Sequence, residues 1–150
     1  NNILSPTQSQ TMLLTYIESL YQGNDPKRFR KNVAALVNDL RRSKGEKYLA
    51  MLERFDYLYI ESLFGSTEKE GTKLFKLLLT KTKEFLAAYK ETAYKSRVKF
   101  LNGVSLIQNS QEANGKKILE SLLNSTDTPE YLKGLARTEL STLAIENSTL

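Results

Sequence analysis

The sequence contains no cysteine and no histidine. These two residue types supply thiol nucleophiles, most zinc ligands and the usual proton shuttle at neutral pH, so their absence excludes several kinds of site. Ser-His-Asp and Cys-His triads and haem-type ligation are excluded for the same reason. Neither a disulfide nor a structural metal is needed, because a chain of 150 residues is long enough to bury a core of its own.

Glycine and proline are also scarce, with 7 and 3 of the 150 residues. This composition is typical of one compact domain, and we expect a single domain over residues 1–150. Within it we expect N-terminal helices over residues 1–65 and helical hairpins over residues 66–150.

Long hydrophobic runs are absent from the sequence too. No run approaches the roughly 18 apolar residues of a membrane span, so this chain is not predicted to cross a bilayer. It begins with Asn1-Asn2 instead of Met and shows no charged-then-apolar leader. We therefore expect a fragment or a mature form whose targeting signal is not visible. The lack of cysteine fits a periplasmic or a cytoplasmic protein, so the location stays open, with the periplasm or envelope favoured.

Helix start and stop signals are frequent along the chain. Ser5-Pro6 and Asp25-Pro26 each combine a capping residue with a proline at the first helical position, and Gly23 and Gly45 follow as stops. A third helix, from about Glu46 to Phe64, is apolar over most of its circumference. We expect it to be the most buried helix.

Four further helices are predicted in the second half. Ser66-Thr67 caps a long fourth helix, a fifth follows a break near Thr92, and a sixth includes Ile118. Thr128-Pro129 starts the seventh, whose apolar stripe consists of Leu132, Leu135, Ala136, Leu140 and Leu143. No window shows the alternation of a strand, so we predict an all-α fold. About seven antiparallel helices joined by short links form either a stacked-hairpin solenoid or an irregular bundle.

Small residues lie inside the apolar stripes of the last third, at Gly103, Gly115 and Ala136, where they allow two helices to approach closely. Aromatic, small and apolar residues recur around them at the spacing of a helical hairpin: Phe85, Tyr89, Tyr94, Phe100, Gly103, Glu112-Ala113, Leu119, Leu122-Leu123 and Pro129. Residues 85–146 thus resemble a tetratricopeptide-type repeat of the variety found in bacterial envelope proteins. This resemblance implies a protein-binding scaffold with a concave groove, active in the assembly of a bacterial cell-envelope complex, and no chemistry.

The basic residues are concentrated in two stretches, and the rest of the chain carries −5, which leaves the net charge of +5. Residues 25–47 have eight basic and three acidic residues, and residues 68–99 have nine and four, so each stretch carries +5. The basic residues lie opposite the apolar stripes of the second and fourth helices and are predicted to face solvent. They are our candidate interaction residues: Lys27, Arg28, Arg30, Lys31, Arg41, Arg42, Lys69, Lys73, Lys76 and Lys83. They either contact a polyanion or keep the domain soluble.

Carboxylates on the third helix, Glu53, Asp56 and Glu61, are the candidates for acid–base chemistry. A di-metal bundle site would need Glu-x-x-His motifs, which this sequence cannot contain. With Arg54 adjacent, surface salt bridges explain these acids better. Tyr57 lies towards the charged arc of the same helix and is a candidate for protein contact.

The sequence therefore predicts a non-enzymatic protein-interaction or scaffold module without catalytic residues, cofactor or metal. Its most favoured partner is another protein. The alternative is a basic helical protein that binds nucleic acid or another polyanion through the second and fourth helices.

Overall fold

A computed structural model describes residues 6–44 and 48–149 of the chain. The described part is about 85% helical and contains no strand, which confirms the predicted all-α class. Its helices are α1 Pro6–Gln22, α2 Pro26–Lys44, α3 Leu49–Gly65, α4 Thr67–Glu70, α5 Lys73–Ala88, α6 Lys95–Gln108, α7 Glu112–Asn124 and α8 Glu130–Ser148. The predicted signals at Ser5, Gly45 and Glu46 lie outside the described residues.

The chain divides into two compact units, Asn1–Gly65 and Ser66–Leu150. The boundary falls where the sequence separates the N-terminal helices from the helical hairpins. That the whole chain forms one domain stays a prediction. The two units are described one at a time below.

The first unit consists of three helices, α1 to α3, each of which packs against the other two. Its core contains Phe29 and Val33 from α2, Phe55 and Leu58 from α3, and Ile17 from α1. The ring of Tyr21 meets that of Phe29 edge-on, with the ring centroids 5.3 Å apart. The periodicity of the second helix predicts this buried face correctly, because apolar residues at i, i+4 and i+8 share one side.

The second unit places α6 at its centre. This helix packs against α5, α7 and α8, and eight of its 14 residues are buried. In α3 seven of 17 residues are buried, so the prediction that the third helix is the most buried one is wrong. Burial follows the number of neighbouring helices as well as apolar character, and three neighbours cover even Asn102 and Ser105 of α6.

Glycine brings α6 and α7 close together. A Cβ atom on Gly115 would lie 2.7 Å from the carbonyl oxygen of Gly103 and 2.6 Å from Cγ1 of Ile107. Real side chains do not tolerate such distances, so only glycine fits there without a shift. The prediction that small residues allow close approach is confirmed for this pair, and Ala136 of α8 is fully buried as well.

The predicted fourth helix is divided in two. Gly71 ends α4 with φ of +92° and ψ of 178°, a backbone conformation that L side chains rarely adopt. The single long helix expected from Ser66-Thr67 is therefore wrong, and the described residues form eight helices where about seven were expected. Lys69 consequently lies on a different helix from Lys73, Lys76 and Lys83.

Candidate functional site

The basic face of α2 is only partly as predicted. Lys27, Arg28, Lys31 and Arg42 are exposed, as the periodicity indicates. Asp25 precedes this helix, and its Oδ1 accepts a hydrogen bond of 3.1 Å from the backbone N–H of Arg28. An acidic cap therefore stands at the start of the basic face and fixes where the helix begins.

Arg30 does not belong to that face. Its side chain is buried, with 9% exposed, and its Nη1 donates a hydrogen bond of 2.9 Å to the backbone carbonyl oxygen of Ser62 in α3. Position 30 precedes Val33 by three residues and Val37 by seven, so it borders the apolar stripe. This spacing could have identified Arg30 as a packing residue, and the prediction that its side chain faces solvent is wrong.

Two ion pairs connect helices of the first unit. Arg41 pairs with Asp56 across α2 and α3. Arg54 binds Glu18 of α1 through two hydrogen bonds, with Nε–Oε1 at 2.7 Å and Nη2–Oε2 at 3.3 Å. The salt-bridge interpretation is thus confirmed for Asp56. These pairs link α1 and α2 to α3.

Tyr57 is half-buried and packs against the core of the first unit. The guanidinium of Arg54 lies over its ring, 5.8 Å from the centroid. The ring therefore makes contacts within its own unit, as core tyrosines commonly do.

The lysines of the second unit are exposed as predicted: Lys69 on α4, and Lys73, Lys76 and Lys83 on α5. Lys76 and Lys83 are seven residues apart and share one flank of α5. Lys81, on the other flank, pairs with Glu84 at 3.4 Å. Each basic row therefore lies within one unit, on α2 in the first and on α4 and α5 in the second.

A groove between α7 and α8 was not predicted from the sequence. It has a volume of about 340 Å³, and its apolar lining consists of Ala113, Leu140, Leu143 and Ala144. At one end Nδ2 of Asn147 donates a hydrogen bond of 3.3 Å to Oε2 of Glu112. The signal for it is weak, because a groove forms between two helices and periodicity describes one helix at a time.

A second unpredicted feature is the outward face of α8. Tyr131 and Ile145 are 61% and 64% exposed, and Leu135, assigned above to the apolar core stripe, is 40% exposed. Leu135 is displaced from that stripe because it lies about 100° around the helix from Ala136, which faces the core. Three large apolar side chains are therefore exposed on one side of α8.

Two carboxylates border this outward face. Glu139 is half-buried, and Glu146 lies seven residues further along α8. Burial, followed by repulsion from Glu146, raises the pKa of Glu139 above its ordinary value near 4.5. In the described part of the chain, no lysine or arginine nitrogen lies within 4 Å of either carboxylate.

Two other features were sought within residues 6–44 and 48–149, a metal site and a membrane-spanning helix. No group of three or more acidic side chains that could hold a metal ion occurs there. None of the helices in this part of the chain has the length and apolar character required to cross a membrane.

In comparisons with known proteins, no protein-family model, no curated protein and no solved structure matches this chain. Function must therefore be inferred from the chain's own surfaces.

Proposed function

We propose that this protein is a non-enzymatic interaction module that holds a segment of another protein in the groove between α7 and α8. The observation that carries this proposal is the apolar lining of the groove beside the polar edge that α7 provides. An apolar groove of this kind suits the side chains of a bound chain, and the polar edge suits its backbone.

The two sides of the groove follow from helical spacing. On α8, Leu140, Leu143 and Ala144 share one side of the helix at i, i+3 and i+4. On α7, Glu112, Lys116 and Glu120 follow at intervals of four and form the opposite edge. Lys116 and Glu120 are only loosely paired, at 3.9 Å, and both are exposed, so they are available to polar groups of a partner.

The hairpin architecture of the second unit supports the same proposal. Helices α5 to α8 pack in sequential order, and α6 and α7 meet at Gly103 and Gly115. Stacked hairpins of this kind present extended binding surfaces. A tetratricopeptide-like scaffold that acts in the assembly of a bacterial cell-envelope complex is the form of the proposal that the sequence resemblance favours.

The groove can be tested with a library of random peptides displayed on phage and selected on the immobilised 150-residue chain. We expect selected peptides to bind the Ala144→Arg variant at least about tenfold more weakly, because the arginine would fill the groove. The matched control is Ala87→Arg, which changes an exposed alanine on α5 in the same way. The proposal fails if no peptide is selected, or if both variants bind the peptides as the unmodified protein does.

A second candidate function, polyanion binding, is favoured by the exposed lysines of α5. Lys73, Lys76 and Lys83 would neutralise successive phosphates or sulfates, so binding would weaken steeply with salt. Retention on heparin between low and moderate salt measures this, and Lys76→Glu with Lys83→Glu should abolish it. Retention that survives this double substitution would exclude the α5 surface.

A further inference from the structure

The outward face of α8 has the spacing of a coiled-coil seam. Its residues follow one another at intervals of four and three, which keeps them on one side of a helix over about 21 Å. They are Tyr131, Leu135, Thr138, Thr142 and Ile145, and all five are uncharged and exposed. We call them the α8 seam.

The α8 seam is separate from the groove. Ala144 lines the groove, and Ile145, its neighbour in sequence, points about 100° away around the helix. The seam can therefore be altered without changing the groove, and the reverse.

The charged residues beside the seam are acidic. Glu139 and Glu146 each follow a seam residue directly and occupy the same flank, about 10 Å apart along the helix axis. This is the flank from which paired helices exchange salt bridges. In the described residues no basic nitrogen lies within 4 Å of either carboxylate, and Glu139 is half-buried. A basic group on a partner would supply the missing counter-charge.

A second copy of α8 does not supply it. In an antiparallel pair the flank with Glu139 and Glu146 would face the same two carboxylates of the other copy, and like charges would repel. In a parallel pair it would face the opposite flank, which carries Gly134, Ser141 and Ser148 and no charge. Self-pairing of the seam therefore leaves both carboxylates without a counter-ion.

We infer that the α8 seam binds an amphipathic helix of a partner protein, with an apolar stripe for the seam and two basic residues seven positions apart for Glu139 and Glu146. A helix matches the seam in length and spacing, and basic residues seven apart lie at the same interval as the two carboxylates. This surface is additional to the groove and does not depend on it.

The test uses two synthetic helical peptides of about 21 residues, three heptads each. Both carry leucine at the two apolar positions of every heptad; one has lysine and the other glutamate at the flanking positions. Each is titrated into the 150-residue chain by calorimetry at low salt. We expect the lysine peptide to bind about tenfold more tightly, as two charge pairs predict. Non-specific attraction to a protein of net charge +5 would favour the glutamate peptide instead.

Three variants test whether the peptides bind at the α8 seam. Glu139→Gln with Glu146→Gln should remove the preference for lysine, and Ile145→Asp should weaken both peptides because it charges the seam. Ala144→Arg should leave both unaffected. A preference for glutamate, no preference, or no binding of either peptide would overturn the inference. If the Ala144→Arg variant no longer binds the phage-selected peptides but still binds the lysine peptide, the groove and the α8 seam are independent binding surfaces.

Discussion

The two units differ in the contacts that their helices make besides the apolar core. In the first, long charged side chains bridge the helices: Arg54 reaches Glu18, Arg41 reaches Asp56, and Arg30 reaches the carbonyl oxygen of Ser62. In the second, helices meet at glycine and at side-chain amides, of which that of Asn102 is buried and that of Asn109 is half-buried. Nδ2 of Asn102 donates to Oγ1 of Thr82 at 3.0 Å, and Nδ2 of Asn109 donates to the carbonyl oxygen of Phe75 at 3.0 Å.

This difference determines what each unit can tolerate. Ionic bridges between partly exposed groups are weak and are screened by salt, but their long side chains adjust to small movements. Glycine contacts and buried amides are insensitive to salt, yet they leave no room for an added methyl group. We therefore expect volume changes to affect the second unit most and charge changes to affect the first.

The largest effect should follow an added methyl group at the α6–α7 contact. Gly115→Ala places a Cβ atom 2.7 Å from a backbone oxygen, and we expect the free energy of unfolding of the second unit to fall by about 2 kcal/mol. Gly134→Ala is the control, because nothing lies within 4 Å of its Cβ position and alanine favours a helix by about 1 kcal/mol. Urea denaturation followed by circular dichroism measures both. Similar changes in the two variants would contradict the close contact.

The buried arginine of the first unit should come next. Arg30→Met removes a charged donor from the carbonyl oxygen of Ser62, and we expect a loss of about 1.5 kcal/mol that does not change with salt. Lys31→Met alters the exposed neighbour and should stay within about 0.5 kcal/mol of the unmodified protein. Hydrogen exchange of α2 and α3 amides reports this unit separately. If the two substitutions changed the free energy of unfolding equally, Arg30 would have to be a solvent-facing residue like Lys31.

The ionic bridges should be smaller and salt-dependent. A double-mutant cycle of Arg54→Met and Glu18→Gln should give a coupling of about 0.5–1 kcal/mol at low salt, because both side chains are partly exposed. At about 1 M salt the coupling should nearly vanish, because the screening length falls to about 3 Å. The neutral pair Asn102 and Thr82, tested with Asn102→Ala and Thr82→Val, should show no such change. A salt-dependent coupling in that pair would remove the distinction between the units.

The smallest effect concerns pH. Because burial and Glu146 raise the pKa of Glu139 in the folded state, that state holds its proton more tightly than the unfolded state does. The stability of the second unit should therefore decrease as the pH rises from about 4.5 through the raised pKa, and Glu139→Gln should reduce that decrease. Thermal unfolding at several pH values tests this, and an unchanged pH profile in Glu139→Gln would contradict it.

Local sequence signals predict the helices well where the helix itself determines the outcome. Pro26 after Asp25 starts α2, and Gly23 follows the last residue of α1, as expected from capping and backbone preference. The break at Gly71 was not predicted: this glycine lies in a polar stretch before the apolar stripe begins, where periodicity gives no information, and a single glycine does not reveal its backbone angles. The candidate surfaces were harder to predict. The exposed lysines follow from periodicity, whereas the role of Arg30 depends on a carbonyl group 32 residues away.

The sequence by itself determines the all-α class, the ends of most helices and the exposure of the lysine rows, because capping, periodicity and charge act within a few residues. The tertiary structure alone decides that α6 is surrounded, that Gly103 and Gly115 meet, and that α7 and α8 form a groove. It also leaves one uncharged face of α8 in solvent. These features depend on which helices become neighbours, and that choice is set by packing between residues far apart in sequence.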